Sequence, residues 1–460
     1  MPVLRADRSR LPEPGPDPAF HFPSIVRHTL KNGLKVRTVE HASVPVVTLV
    51  MKVDGGLGAD PAGREGLASI AADMVDEGTG DLSAIEVSDA LARIGAEYDV
   101  DVGADATVFT LTTLTRFVGR GAALASDILV KPSLRAPDFE RVRQLRLDRL
   151  RQLKDLPPAV AERAFLRLVY PAHPYGHLAI GTDASLRALT LDDVVRFHAR
   201  LFCPSRATLV AAGAMSHREL LGAAEDAFGG WHGAEPAPDM PCAAADIVPD
   251  AAPPALLAMV PREGAAQSEL RIGHLSARRD TPDYAPLLVM NAVLGGQFVS
   301  RINMKLREEK AITYGARTGF DWRRGLGPFS LQASVHTAAT AEAVSDSLRE
   351  MADIRSSRPP TEQEMSMAKA SLTRGYPRNF ETAQQVSRSV AQLALFDLPD
   401  SYFEEFVPRV NAVTADDVTR VAQKYLHPDR AITLIVGDRK ATETSLNALG
   451  MGELQILPPE

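Results

Sequence analysis

"TLDDVVRFHARLFCPSRATLVAAG", Thr190 to Gly213, returns as "TADDVTRVAQKYLHPDRAITLIVG", Thr414 to Gly437. The offset is 414 − 190 = 224 residues, and 9 of the 24 aligned positions are identical, among them Asp192/Asp416, Arg196/Arg420, Pro204/Pro428, Arg206/Arg430 and Gly213/Gly437. Chance supplies about one or two matches in such a window, so the chain is a tandem duplication. Each copy opens on Thr, a helix N-cap, followed by two Asp that complement the helix dipole. Apolar spacing carries the helix to a proline stop, and a short apolar, β-branched run then reads as a buried strand. A 224-residue period is too long for a solenoid unit. It fits two homologous domains of about 220 residues each.

Working outward, the first half reads as strands at "GLKVRTVEH" and "VPVVTLVMKVDGG", a helix over Gly66–Glu77, and a second amphipathic helix at "AIEVSDALARIGA". Strands "EYDVDVGAD" and "ATVFTLTTL" follow, then helices "FVGRGAALASDILV" and "APDFERVRQLRLDRLRQLKD". The second half repeats the order: strand "SELRIGHLSA", helices "DYAPLLVMNAVLG" and "VSRINMKLREEK", strands "TYGARTGFDW" and "GPFSLQASVHT". This mixture predicts an α+β fold, two domains each with an antiparallel-rich sheet and helices on one face. The expected boundaries are an N-terminal extension over 1–21, a first domain over 22–230, a Pro/Ala-rich linker over 231–255, a second domain over 256–440 and a C-terminal tail over 441–460.

The chain has 460 residues, a net charge of −7 and only two cysteines, Cys203 and Cys242. No basic excess exists to neutralise phosphates, which argues against nucleic acid as partner. The cysteines form no CxxC pair, so neither a disulfide framework nor a cysteine zinc site is expected. No apolar run is long enough to span a bilayer, and the N-terminus carries no apolar signal core. The expected compartment is the cytoplasm, or the periplasm if a leader precedes the sequence as written.

The landmarks "GLASIAADMVDEGT", "HPYGHLAIGT" and "LGGQFVSRINMKLREEKAITYGARTGF", with the duplicated helix–strand endings, resemble the M16 family of zinc metallopeptidases, the pitrilysin, insulinase and mitochondrial processing peptidase group. The resemblance covers roughly Phe22 to Asp438. It implies two α+β halves forming half of a clam shell that closes around peptide. The family's first half carries His-x-x-Glu-His on a helix. Two His one turn apart ligate zinc, and the Glu serves as general base on metal-bound water. Aligned on the flanking "GLA" and "GT", this chain has Ser69, Ala72 and Asp73 there. The distal Glu ligand aligns with Asp148 or Arg149, Arg149 being preferred. Ser is a poor zinc ligand, Ala72 moves no proton, and one Asp does not hold the ion. The helix is therefore read as retained architecture packing Leu67, Ile70 and Met74 inward. His173 and His177 are four apart, but Pro174 and Gly176 break any helix between them, so they are read as loop residues.

The family's second half carries an Arg…Tyr pair that reaches the active site across the cavity. "LREEKAITYG" places Arg307 seven residues before Tyr314 at the matching positions. A guanidinium can donate to a substrate carbonyl, and a phenol to a developing oxyanion. "LGGQFVSR" is read as a helix-capping turn rather than a phosphate loop. The resemblance implies a subunit without metal or cofactor of its own. It would pair with a zinc-bearing His-x-x-Glu-His subunit and supply Arg307 and Tyr314 to the peptide substrate. The alternative is a non-proteolytic core or scaffold subunit.

Overall fold

The computed structural model describes residue 9, residues 20–233 and residues 254–458. The expected linker lies outside the described residues except at 231–233 and 254–255, as does the N-terminal extension except at 9, 20 and 21.

The first half contains β1 (Ile25–Thr29), β2 (Lys35–Glu40), β3 (Val46–Asp54), a short pair β4 (Gly78–Thr79) and β5 (Leu82–Ser83), β6 (Glu97–Val102), β7 (Ala106–Leu114) and β8 (Ala207–Gly213). Its helices are α1 (Leu67–Met74), α2 (Ala84–Arg93), α3 (Val118–Val130), α4 (Ala136–Lys154), α5 (Pro157–Val169), α6 (Asp183–Ala188), α7 (Leu191–Leu201) and α8 (His217–Phe228). The second half contains β9 (Leu256–Pro261), β10 (Gln267–Leu275), β11 (Thr313–Phe320), β12 (Pro328–His336), β13 (Ile432–Gly437) and β14 (Gln455–Ile456). Its helices are α9 (Tyr284–Leu294), α10 (Arg301–Asn303), α11 (Thr340–Asp353), α12 (Glu362–Thr373), α13 (Ala383–Leu395), α14 (Tyr402–Ala412), α15 (Ala415–Tyr425) and α16 (Arg439–Asn447).

The duplicated stretch forms α7–β8 and α15–β13, built alike to the level of single hydrogen bonds. Thr190 Oγ1 accepts from Asp193 N at 3.2 Å and Thr414 Oγ1 from Asp417 N at 3.1 Å. Each Asp carboxylate accepts in return from its threonine's backbone N–H, at 3.0 Å in both copies. These reciprocal capping boxes satisfy donors that a helix start otherwise leaves open. The strand that follows is buried throughout and lies centrally in its sheet.

Both sheets have six strands, ordered β1-β2-β8-β3-β7-β6 and β14-β9-β13-β10-β12-β11. β2 runs parallel to β8 and β9 parallel to β13, while β3 and β10 are antiparallel to both neighbours. The outermost position differs. In the first sheet it is β1, from the N-terminal side and antiparallel to β2, whereas in the second it is β14, parallel to β9. Residues 441–460, expected as a tail, thus supply the edge strand β14 and most of α16. Leu446 and Leu454 are buried in the second core.

Each half's own helices cover one face of its sheet, as expected. The opposite face is covered by a helix of the other half, which sequence reading did not anticipate. Phe165 and Val169 of α5 pack on Val260, Leu434 and Val436 of the second sheet. Val386 and Val390 of α13 pack on Val39, Val50 and Val210 of the first. Each such fully buried side chain stabilises by roughly 1.5–3 kcal/mol, so the exchange ties the halves together. An ion pair also ties α5 to the second sheet: buried Arg271 of β10 meets half-exposed Glu162 at 3.1 Å. Arg388 of α13 meets Asp99 of β6 at 2.7 Å.

Candidate functional site

Two clefts carry Arg307 and, separately, Ser69, Asp73 and Arg149, among the residues singled out in the sequence. Each lies beside an outer strand at the corresponding end of its sheet, β6 in the first half and β11 in the second.

The first-half cleft, of about 690 Å³, is walled by α1, α4 and β6. The start of α1 is set by Asp60. Its carboxylate accepts from Gly66 N at 2.7 Å and Ala68 N at 2.6 Å, and pairs with His177 Nε2 at 2.9 Å. Burial pushes the Asp60 carboxyl above its ordinary value, opposed by His177 and the two backbone donors. Gly66 has φ +93°, and a Cβ there would meet the backbone of Ile180 and Gly181 at 3.0 Å. The landmarks "GLA" and "IGT" are therefore two sides of one backbone contact, and His177 is a packing partner of the helix start.

On α1, Ser69 and Asp73 face the cleft, whereas Ala72 is fully buried in the first core. Arg146 of α4 joins the first two. Its Nη2 donates to Ser69 Oγ at 2.6 Å, and its Nε donates to Asp73 Oδ2 at 2.8 Å. Arg149 lines the same cleft one turn further on, exposed, with Nη1 on Gln152 Oε1 at 3.3 Å. Asp148, the other position aligned with the distal ligand, lies on the same helix and accepts from Gln144 at 3.1 Å. Zinc needs three protein ligands of imidazole, thiolate or carboxylate type. A hydroxyl, a methyl, one carboxylate and two guanidinium groups do not fit it. Among the described residues no group of three or more His, Cys, Asp and Glu has an arrangement that could hold a metal ion. Sequence reading missed Arg146. It sits three residues before Arg149 on the same helix, but no spacing rule assigns one of two such arginines to a particular oxygen.

Asp76 and Glu77, just past α1, with Asp99 of β6, complete this wall. Burial, then the neighbouring Glu77 charge, pushes the Asp76 carboxyl up to about 6.

The second-half cleft, of about 570 Å³, includes Arg307, Arg317, Asn303, Phe298 and the glycines 295, 296 and 315. The segment expected as one helix begins as α10 and continues over Met304–Glu309 as a π-helix. Such wide turns are rare and concentrate at functional sites. This one carries Arg307, whose guanidinium lies 4.3 Å from the centre of the Phe298 ring. The glycine turn caps α9: Gly295 N and Gly296 N both donate to Asn291 O, at 2.9 and 2.7 Å. A Cβ on Gly295 would meet Thr318 at 2.5 Å, so that glycine serves the packing of this chain.

Tyr314 is 87% exposed. It sits where the β11–β12 register shifts, immediately before cleft residues Gly315 and Ala316. Arg307 thus lines one cleft, with Tyr314 exposed and adjacent in the chain to its lining, and Ser69, Asp73, Arg146 and Arg149 line the other. The two clefts share no residue.

The chain is thus a duplicated α+β unit, each copy a six-stranded sheet with a cleft beside one outer strand. Comparison with known proteins specifies it: residues 35–183 match the family model "Insulinase (Peptidase family M16)" and residues 188–372 match "Peptidase M16 inactive domain". The chain belongs to the M16 peptidase family. It is 25% identical over 406 residues to an uncharacterized zinc protease of Mycobacterium tuberculosis, covering 87% of this chain and 90% of that protein. It is 24% identical over 444 residues to the mitochondrial-processing peptidase subunit beta of Lentinula edodes, covering 86% of each. Among solved structures, the peptidase M16 inactive domain from Pseudomonas fluorescens superposes with TM-score 0.83 at 23% identity, over 90% of this chain and 98% of that one. No helix among the described residues is long and apolar enough to cross a membrane.

Proposed function

We propose that this chain is a metal-free M16 subunit that completes the peptide cavity of a zinc-bearing M16 subunit and supplies Arg307 and Tyr314 to the substrate. The observation that carries this reading is the contrast between the two clefts. Where the family places zinc ligands, Arg146 bridges Ser69 and Asp73. Where it places substrate-binding groups, Arg307 lines an open cleft and Tyr314 is exposed. The two clefts share no lining residue, and the positions aligned with the zinc ligands do not fit the ion, so in this reading the catalytic zinc centre comes from a second subunit. The zinc, its activated water and the general base belong to that partner. Arg307, held against Phe298, donates charge-assisted hydrogen bonds to a peptide carbonyl. The Tyr314 hydroxyl donates to the oxyanion that forms on the carbonyl under attack.

The test is zinc content and peptidase activity of the purified chain, alone and mixed with a His-x-x-Glu-His subunit of the same family. The expected result is no zinc and no turnover alone, and turnover in the mixture. Assembly with no gain in turnover over the zinc subunit alone would favour a scaffold subunit. Stoichiometric zinc and turnover in the isolated chain would overturn the reading.

A further inference from the structure

The second-half cleft has an uncompensated charge. Its acid, Glu269, is buried and already engaged, by Arg271 at 2.6 Å and by the Ser334 hydroxyl. Arg271 is in turn paired with Glu162 at 3.1 Å. The two remaining cationic lining residues are not neutralised within the cleft. Arg317 donates to the neutral amide of Gln332 at 3.2 Å. Among the described residues Arg307 has its ion pair with its exposed neighbour Glu308, at 3.2 Å, which lies outside the lining. The nearby lysines add nothing to the field, because Lys305 is paired with Glu309 and Lys310 with Glu342 and Asp346. Two guanidinium groups lining one cleft, one held on an aromatic face and one on a strand, are suited to pair with a carboxylate.

We infer that this cleft selects peptides bearing a carboxylate, which seats between Arg307 and Arg317. The inference rests on the reading of the cleft as a peptide site and adds its substrate class. The carboxylate comes from an Asp or Glu side chain or from the peptide's C-terminus. The net charge of the whole chain, −7, points the other way, toward basic peptides, but it is the local charge that acts on a bound group.

The test is equilibrium binding of three fluorescein-labelled decapeptides to the isolated chain at low salt. One carries a central Glu and an amidated C-terminus, the second carries Gln and an amidated C-terminus, and the third carries Gln and a free C-terminus. One or both carboxylate peptides bind about tenfold tighter than the neutral one, as one charge-assisted contact supplies. Which of them gains names the source. Arg317→Gln removes the preference and Arg317→Glu transfers it to a Lys-bearing peptide. Arg317 is exposed, so both variants keep the fold, checked by unchanged thermal melting. Equal binding of all three peptides, no binding of any, or a preference that survives in Arg317→Gln overturns the inference. Failure of the underlying reading is seen separately, in turnover of the neutral peptide by the two-subunit complex: there Tyr314→Phe is silent if the cleft does not serve catalysis.

Discussion

The two halves have one topology and opposite clefts. Beside β6, the first half sets Asp73, Asp76, Glu77 and Asp99 against Arg146 and Arg149. Beside β11, the second half sets Arg307 and Arg317 around a single, internally paired acid. In the first cleft the polar groups on α1 and α4 are turned on one another. In the second, Arg307 lines an open cleft and Tyr314 is exposed. Duplication fixed the frame, with its capped helix and central strand. The two clefts differ in the side chains carried on their helix turns and outer strands.

The largest expected effect breaks the comparison if it falls in the wrong half. In the reconstituted two-subunit enzyme, Tyr314→Phe lowers kcat roughly a hundredfold, as loss of one oxyanion donor does, with assembly unchanged by gel filtration. Asp73→Asn leaves kcat within about twofold, because its carboxylate serves Arg146. If Asp73→Asn is the damaging change, the first cleft acts on substrate and the assignment is reversed.

The next effect is a pH dependence carried by a buried histidine of the second half. His274 on β10 is buried; its Nδ1 donates to Leu275 O at 2.9 Å and its Nε2 accepts from His427 N at 2.9 Å. The ring is therefore neutral, and burial lowers its pKa from 6.5 to about 4. The unfolded chain takes up this proton first. Stability is complete above pH 6.5 and falls as pH drops toward 4, by roughly 3 kcal/mol over the window. His274→Gln flattens that part of the curve of urea midpoint against pH. An unchanged slope would mean that the loss arises elsewhere.

How much of this was legible depends on the reach of each signal. The repeated Thr-x-Asp-Asp starts and apolar strands are local, and they gave the duplication and the central strands. The M16 resemblance placed Ser69, Asp73, Arg307 and Tyr314 on their elements. Non-local pairings were not legible. Nothing in the spacing of Val386 and Val390 says that α13 covers the first sheet rather than its own, because an apolar stripe does not name its partner. The edge strand β14 is two residues long and follows Gly450 and Gly452, so periodicity has nothing to count. Arg146 was hidden for a different reason. Any of several arginines on α4 satisfies the same helical pattern, and only the crossing of α1 over α4 selects the one that reaches Ser69.

The smallest effect sharpens the comparison from the first half. Asp76 has its carboxyl raised from 3.8 to about 6 by burial, then by Glu77 and Asp73. A raised acid binds its proton more tightly when folded. It therefore costs stability above about pH 6, and the cost disappears below about pH 3.8. This slope opposes that of His274 over the same range and is smaller, since Asp76 is only half-buried and solvent screens its neighbours. Asp76→Asn accordingly raises stability by about 1 kcal/mol at neutral pH and leaves it unchanged near pH 4, read from urea midpoints. The same variant removes one charge from the acidic cleft, so turnover of the complex measured beside stability gives a second reading. Unchanged turnover with raised stability means that the acids of this cleft serve the chain's own structure. A turnover loss with raised stability means that the cleft holds substrate at a carboxylate whose retention costs stability, and that the two halves divide the peptide between them.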